Sequence, residues 1–217
     1  MLSVQPPSIT ARTLAEHVSA AYENRSPLII TGGSSKVFYG RSTTGTELSI
    51  KGYRGVINYE PSELVITARA GTPLKEIEDL LAEHGQMLGF EPPSFSDTAT
   101  LGGTVACGIS GPRRPYAGAV RDFVLGATII NGKGEILKFG GQVMKNVAGY
   151  DVSRLMTGAL GTLGVLLDIS LKVIPKPAVE ETRILPYDHQ QMSTLLSTLG
   201  RQPIPVSATY LYNNLLY

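Results

Sequence analysis

Residues 90–114 read FEPPSFSDTATLGGTVACGISGPRR, a long stretch that is rich in glycine and proline and nearly uncharged. No apolar spacing of two or 3.6 residues persists across it, so we expect a loop. Long loops in compact domains are usually functional or disordered, and the apolar residues and lack of charge argue against disorder. The stretch is therefore predicted to wrap a flat, partly apolar ligand, with Gly102 and Gly103 letting the backbone come close to it.

The overall composition is typical of a soluble globular protein, because 42% of the 217 residues are hydrophobic and 17% are charged. A net charge of +1 gives no reason to expect nucleic acid or an anionic membrane surface as a partner. No apolar run approaches the roughly 18 residues of a spanning helix, and the N-terminal pattern is not that of a secretory signal. The single cysteine, Cys107, excludes internal disulfides and thiolate zinc sites. We therefore expect a cytoplasmic protein.

The first 90 residues have the pattern of two helices and four short strands. An apolar stripe predicts a surface helix over 10–25, with Thr10 or Thr13 as its cap. A second helix is predicted after Thr72, which we expect to be its N-cap. Short strands are predicted over 28–30, 48–50, 56–59 and 64–70.

Beyond the quoted stretch, the pattern changes to longer strands. A continuous apolar strand over 123–130 and a returning strand over 136–139 flank the residues Asn131-Gly132-Lys133-Gly134, which are typical of a hairpin turn. Asp151 is expected to cap a short helix, and a long strand follows over 165–174. Strands outnumber helices and several are joined by hairpins, which predicts the α+β class.

The residues Pro175-Lys176-Pro177 have the composition of a linker. We expect 1–177 to form one domain and 178–217 to begin a second, α+β domain. The chain stops inside an apolar segment, so this second domain is predicted to be incomplete or completed elsewhere. Its pattern is strand, helix and strand over 179–185, 190–199 and 208–217.

A glycine-rich turn, Thr31–Lys36, follows the first strand. It offers several free N–H groups, two serine hydroxyls and one lysine, which together suit a phosphate or pyrophosphate. The alternative is an ordinary glycine-rich turn, because short glycine motifs often occur by chance.

Two better-known phosphate motifs fail. Gly126–Gly134 resembles a P-loop, but its glycine spacing is one residue too long and Gly134 stands where Ser or Thr is needed. Gly158–Gly164 has the wrong glycine spacing for the dinucleotide fingerprint, and no strand immediately precedes it. The sequence therefore argues against a Rossmann-type NAD fold.

No catalytic acid–base set is visible, so no catalytic residue is assigned. Ser94, Ser96 and Ser110 lack the Gly-x-Ser-x-Gly context of a nucleophile, and no two histidines have the spacing of metal ligands. Cys107, between alanine and glycine, is interpreted as a small packing residue. Any chemistry is therefore expected to come from a cofactor, without a metal.

Four segments, in this order, resemble the FAD-binding domain of the vanillyl-alcohol oxidase / p-cresol methylhydroxylase (PCMH-type) family. The agreement in order and spacing extends over residues 8–177. The segments are Ile29–Ser35; Pro93–Phe95 with Thr100–Gly103; Gly118–Gly126; and Lys145–Asp151 with Gly161–Val165.

The resemblance implies a two-lobed α+β domain with FAD extended between the lobes and a second, substrate-side (cap) domain from residue 178. Within the family, residues 106–126 and 145–166 are most similar to the FAD-binding subunits of bacterial glycolate oxidases. This implies oxidation of a 2-hydroxy acid by hydride transfer to the flavin. It also implies a complex with a larger FAD-binding subunit and an iron–sulfur subunit, through which the protein could associate with the inner face of a membrane.

The resemblance also implies three groups of cofactor contacts. They are Thr31, Gly32, Gly33, Ser34, Ser35 and Lys36 around the pyrophosphate; Pro93, Ser94, Thr100, Gly102, Gly103, Thr104 and Gly108 along the flavin and ribityl chain; and Asn146, Gly149, Tyr150, Gly161, Gly164 and Val165 at the isoalloxazine or adenine end.

The chain departs from the family pattern at several positions. Members with covalent flavin carry a histidine in the first glycine-rich turn, where this chain has Ser34 and Ser35, so we expect non-covalent FAD. Related 2-hydroxy-acid enzymes have a glutamate where this chain has Leu160. An alternative function is therefore a non-catalytic subunit that holds FAD and serves assembly or electron relay. A flavin reductase supplied by NADH is disfavoured by the missing dinucleotide fingerprint.

Overall fold

The computed structural model of the protein describes residues 9–141, 150–186, 192–213 and 215–217. The chain first forms helix α1 (Ala11–Glu23) and two parallel strands, β1 (Leu28–Thr31) and β2 (Thr46–Ser49). Thr10 caps α1, because its Oγ1 accepts a hydrogen bond from the Thr13 N–H at 3.1 Å. The predicted helix and strands at this end of the chain are confirmed.

The rest of the described chain consists of short strands and short helices. The strands are β3 (Val56–Glu60), β4 (Val65–Arg69), β5 (Gln86–Met87), β6 (Val124–Ile130), β7 (Ile136–Gly140), β8 (Val165–Lys172), β9 (Ile174–Pro175), β10 (Leu185–Pro186), β11 (Leu211–Tyr212) and β12 (Leu215–Leu216). The helices are α2 (Leu74–Glu83), α3 (Leu101–Cys107), α4 (Arg114–Ala117), α5 (Val120–Phe123), α6 (Val152–Leu155) and α7 (Met192–Arg201).

The largest sheet is antiparallel throughout, with the strand order β3-β4-β8-β6-β7. Its central strand β8 is the most buried, and Leu167, Ile169 and Leu171 have no exposed surface. Each fully buried aliphatic side chain of this kind stabilises the folded state by about 1.5–3 kcal/mol. Helices α2 and α3 contribute their apolar faces to the same core. This antiparallel sheet and the helices packed on it confirm the predicted α+β class.

The predicted loop over 90–114 is wrong for the residues of α3. The Thr100 Oγ1 accepts from the Gly103 N–H at 3.2 Å and caps the helix, and Gly108 ends it in the left-handed conformation with φ +65°. Leu101 and Val105 are buried on one face at a helical spacing. Two adjacent glycines obscured this spacing in the sequence, and the tertiary packing outweighs their low helix propensity.

The predicted cap of α2 is also wrong. Pro73 occupies the N-cap position of α2 and makes no side-chain capping bond. The Thr72 Oγ1 instead accepts from the Gly55 N–H at 2.9 Å, and therefore fastens the turn before β3.

Residues beyond 177 form a small unit. β10, β12 and β11 make a three-stranded antiparallel sheet, in which each strand has two residues. The predicted strands over 179–185 and 208–217 are therefore much shorter than expected, and the second is a β11–β12 hairpin. In the described part of the chain, no helix has the length and apolarity needed to span a membrane.

A buried arginine joins this small unit to the rest of the protein. The side chain of Arg113 is 9% exposed and contacts the carboxylates of Glu180 and Glu91, the latter with Nε–Oε1 at 3.6 Å. The Ser207 Oγ donates to the same Glu180 carboxylate at 2.9 Å. The hydrogen bond from Arg113 lowers the pKa of Glu180, so this contact persists below the ordinary pKa of a glutamate and is lost as the pH falls through the lowered value.

Candidate cofactor site

A cavity of about 660 Å³ lies between the turn after β1 and helix α3. Its volume falls within the range of about 300–1,000 Å³ that is usual for ligand and cofactor sites. The turn residues Thr31–Lys36 form one wall, and Thr100, Gly102 and Gly103 belong to another. The cavity therefore joins the two segments to which the sequence assigned phosphate and flavin contacts.

Backbone donors are concentrated in the turn. The N–H groups of Gly32, Gly33, Ser34, Ser35 and Lys36 donate to no acceptor in the described ranges, whereas the carbonyl oxygens of Thr31, Gly33 and Lys36 accept hydrogen bonds. Ser34 adopts a left-handed φ of +55°. Consecutive free N–H groups in such a turn form a concave anion-binding nest.

The turn is pressed against the residues that precede α3. A Cβ atom on Gly33 would lie 1.4 Å from the Thr98 carbonyl oxygen, and one on Gly32 would lie 2.4 Å from the Thr100 Oγ1. The Thr98 Oγ1 donates to the Gly33 carbonyl oxygen at 2.5 Å. These contacts hold the nest at a fixed distance from the start of α3.

The cavity wall is positively charged. Of the described residues that line it, Lys36 and Arg41 are the cations and none is a carboxylate. The Lys36 side chain lies under the Phe95 ring, with Nζ 5.7 Å from the ring centroid, and Phe95 in turn packs edge-to-face on Phe38 at 5.0 Å. Burial lowers the pKa of Lys36, and the neighbouring Cys107 opposes this shift.

The rest of the wall is largely apolar. Its apolar residues include Ile30, Ile50, Ala106, Met156 and Leu160. Cys107 is half-buried beside them, and burial raises the pKa of its thiol. This combination of an anion nest, two cations and an apolar wall suits a ligand that has both a phosphate group and a flat ring system.

The two glycines of α3 have different roles. The Gly102 N–H donates to the Ala70 carbonyl oxygen at 2.7 Å, and a Cβ on Gly102 would lie 2.7 Å from the Ala70 Cβ. Gly102 therefore lets α3 approach the end of β4, and it also lines the cavity. A Cβ on Gly103 would meet only the Thr100 Oγ1, at 3.1 Å, so this position leaves room in the cavity.

The glycine-rich turn Gly161–Gly164 closes the cavity on the side of Ile30. Gly161, Thr162 and Gly164 also line a second cavity of about 730 Å³ at the C-terminal end of α1. Val165 lies on the second cavity and not on the first.

Several residues assigned from the sequence lie outside the first cavity. Pro93 and Ser94 are in the preceding loop, and Tyr150 is 93% exposed. Thr104 is fully buried, and its Oγ1 has no partner in the described part of the chain. Gly108 caps α3. Asn146 and Gly149 lie outside the described residues.

Other residues of the cavity were not assigned to it from the sequence. Arg41, Ala106, Cys107, Met156 and Leu160 come from three distant parts of the chain. None belongs to a spacing that indicates a site, and Cys107 was interpreted as a packing residue only. The signal that could have located two of them is helical spacing, since Ala106 and Cys107 lie about one turn after Gly103 on α3.

A family model described as an FAD binding domain matches residues 9–140. The chain therefore belongs to this family of FAD-binding domains, and FAD is its cofactor. The class predicted from the four sequence segments is confirmed.

The relatives of this chain include FAD-linked oxidoreductases. It is 50% identical over 207 residues to the glycolate oxidase subunit GlcE of Escherichia coli, over 95% of this chain and 59% of the relative. It is 29% identical to a D-lactate dehydrogenase of Anaerostipes hadrus, over 85% of this chain and 40% of the relative. It is 28% identical to the glycolate oxidase subunit GlcD of Bacillus subtilis, over 87% and 41%. The chain thus spans three fifths or less of the length of these relatives.

A solved structure has the same fold. Alkyldihydroxyacetonephosphate synthase superposes with a TM-score of 0.71 at 23% sequence identity, over 90% of this chain and 36% of that protein. At this identity the similarity establishes the fold alone.

Proposed function

We propose that this chain holds FAD in the cavity beside α3 as part of a complex that oxidises a 2-hydroxy acid such as glycolate. The observation that carries the proposal is the turn Gly32–Lys36, which has free N–H groups and lines a cavity with two cations and no described carboxylate. The similarity to glycolate oxidase and D-lactate dehydrogenase proteins supports the substrate class. When bound, FAD accepts a hydride from the carbon that bears the substrate hydroxyl group.

Different residues of the cavity bind different parts of FAD. The N–H groups of Gly32–Lys36 hold the diphosphate, and the apolar wall formed by Ala106, Met156 and Leu160 excludes water from a ring system. Gly103 leaves room for the cofactor beside α3. We expect this binding to be non-covalent, because Ser34 and Ser35 stand where family members with covalent flavin carry a histidine.

Addition of FAD to the purified chain is expected to give a bound-flavin visible spectrum and to raise the melting temperature. A ligand that binds only the folded state stabilises it by about 2.7 kcal/mol at a concentration 100 times its Kd. Absence of both a bound spectrum and a thermal shift would contradict FAD binding. Riboflavin at the same concentration is the control for adventitious binding of the ring.

We further propose the partners that the family resemblance implies, namely a larger FAD-binding oxidase subunit and an iron–sulfur subunit. Residues 178–217 would begin the second, substrate-side domain, which Arg113 fastens to the first. The protein would act in the cytoplasm, or at the inner face of the membrane through these partners. In this arrangement the substrate meets the flavin between this chain and a second folded unit.

A second candidate function is supported by one feature of the cavity. None of its described lining residues is a histidine, aspartate or glutamate, so no conventional general base faces the cofactor. The chain would then hold FAD for electron relay or assembly, while the chemistry takes place on a partner subunit.

Anaerobic addition of glycolate or D-lactate to the FAD-loaded chain distinguishes the two functions. We expect the flavin absorbance to bleach if this chain oxidises the substrate. Bleaching that requires the partner subunits would identify the FAD-holding role. A matched addition of acetate, which lacks the hydroxyl group, should leave the spectrum unchanged in both cases.

A further inference from the structure

We propose that the Lys36 side chain makes the cavity selective for charged nucleotides by pairing with the diphosphate of the cofactor. This inference rests on the proposed binding of FAD and adds the group that recognises its charge. The N–H groups of the turn, including that of Lys36 itself, supply dipoles but no formal charge. The side chain has a separate role.

Lys36 is 8% exposed, and its side chain forms no ion pair or hydrogen bond with any residue in the described ranges. An ammonium group that is partly removed from water and has no counter-ion is less favourable than one in bulk water. The folded protein therefore holds a charge that an anion entering the cavity would stabilise.

An aromatic ring holds the Lys36 side chain beside the cavity. Lys36 lines the cavity, and its Nζ lies 5.7 Å from the centroid of the Phe95 ring. The attraction between a cation and the face of an aromatic ring restrains the ammonium group at this place. The Phe95 ring is itself in edge-to-face contact with Phe38, with 5.0 Å between the ring centroids.

The described surroundings of Lys36 contain no carboxylate on the cavity wall. Arg41 is the other charged residue in the described lining, and it is exposed. The Cys107 thiol is the titratable group that interacts with Lys36. Glu47 lies near the turn but accepts a hydrogen bond from the Thr31 Oγ1 at 2.6 Å and does not line the cavity. No described group on the cavity wall therefore neutralises Lys36.

The part of FAD that can pair with Lys36 is the part that carries negative charge. At neutral pH the oxidised isoalloxazine ring and the adenine ring are uncharged, whereas the diphosphate carries two negative charges. Lys36 is also the last residue of the turn whose free N–H groups suit a phosphate. The group that satisfies both the turn and Lys36 is therefore the diphosphate.

The experiment compares Lys36→Met with the wild-type chain, using FAD, ADP and riboflavin as probes. We expect Lys36→Met to weaken the binding of FAD and of ADP by about 10- to 100-fold, which is the usual loss when a hydrogen bond to a charged group is removed. Riboflavin, which lacks the diphosphate, should change by less than about twofold, because the apolar wall is intact.

Two further measurements separate this role from a structural one. The melting temperature of the FAD-free Lys36→Met chain should be equal to or higher than that of the wild type, since an unpaired buried charge has been removed. Lys36→Arg keeps the charge and should recover most of the lost ADP affinity. Lys138→Met, which removes an exposed lysine on β7, is the matched control and should bind all three probes like the wild type.

The outcomes are distinct. A wild-type chain that binds FAD together with a Lys36→Met chain that binds FAD and ADP equally well overturns this inference alone. An equal loss of riboflavin and ADP affinity also overturns it, because Lys36 would then contact the flavin ring. A wild-type chain that binds neither FAD nor ADP overturns the proposed function, and this inference with it.

Discussion

Replacing Gly102 with valine is expected to lower the free energy of unfolding by about 3 kcal/mol or more. The new Cβ would lie 2.7 Å from the Ala70 Cβ and 2.9 Å from the Ala70 carbonyl oxygen. Ala70 is fully buried, and its carbonyl oxygen accepts a hydrogen bond from the Gly102 N–H. Moving α3 away from the end of β4 to make room for the side chain would break this hydrogen bond. Urea unfolding followed by circular dichroism measures the loss directly.

Gly103→Val is the matched control on the next position of the same helix. Its Cβ meets only the Thr100 Oγ1, at 3.1 Å, and the remaining volume enters the cavity. We expect this variant to unfold within about 1 kcal/mol of the wild type, but to bind FAD far more weakly. If Gly102→Val proved as stable as the wild type and lost only FAD, the assignment of Gly102 to helix packing would be wrong.

Gly33→Ala is expected to abolish measurable FAD binding, with a loss of at least about 100-fold in affinity. The added Cβ would lie 1.4 Å from the Thr98 carbonyl oxygen, which is less than a covalent bond length in a carbon chain. Neither the new Cβ nor the Thr98 carbonyl oxygen can move without its backbone, so the turn must move away from the residues before α3. This movement would disrupt the arrangement of the five N–H groups that binds the anion.

The measurement for Gly33→Ala is a fluorescence titration of FAD, together with the melting temperature of the FAD-free chain. The turn is partly exposed and outside the main core, so the melting temperature should fall much less than for Gly102→Val. Gly200→Ala is a control, since a Cβ at that position in α7 meets nothing within 4 Å. FAD affinity that is retained in Gly33→Ala would show that the turn does not hold the cofactor.

The strands of the five-stranded sheet were predicted well, because each has a local signal in the sequence. The apolar run of β8 and the Asn131–Gly134 turn between β6 and β7 are visible within a few residues. The parallel pairing of β1 with β2 was not predicted, because the two strands are joined by a long connection whose path leaves no periodic pattern.

Helix α3 shows why the predicted loop failed. Thr100, Leu101 and Val105 carried a cap and an apolar spacing, but Gly102 and Gly103 lower the helix propensity by about 1 kcal/mol each. The reason for Gly102 is a contact with Ala70, a residue about 30 positions earlier. Such a requirement can be recognised only when the two backbones are placed side by side.

Only the part of the cavity that is formed by consecutive residues could be predicted from the sequence. The turn Thr31–Lys36 was recognised because its donors are consecutive in the sequence. Arg41, Met156 and Leu160 reach the cavity only through the folding of separate segments. The burial of Lys36 under Phe95 also depends on a contact between two loops that the sequence does not relate.

The position of Cys107 gives the protein a chemical reporter of its own. It is the only thiol among the 217 residues, and it lies half-buried in the wall of the cavity. A thiol-directed reagent can modify the native chain only once, so the extent of modification reports on access to this wall. Mass spectrometry after brief alkylation can follow how the cavity fills and empties without any engineered label.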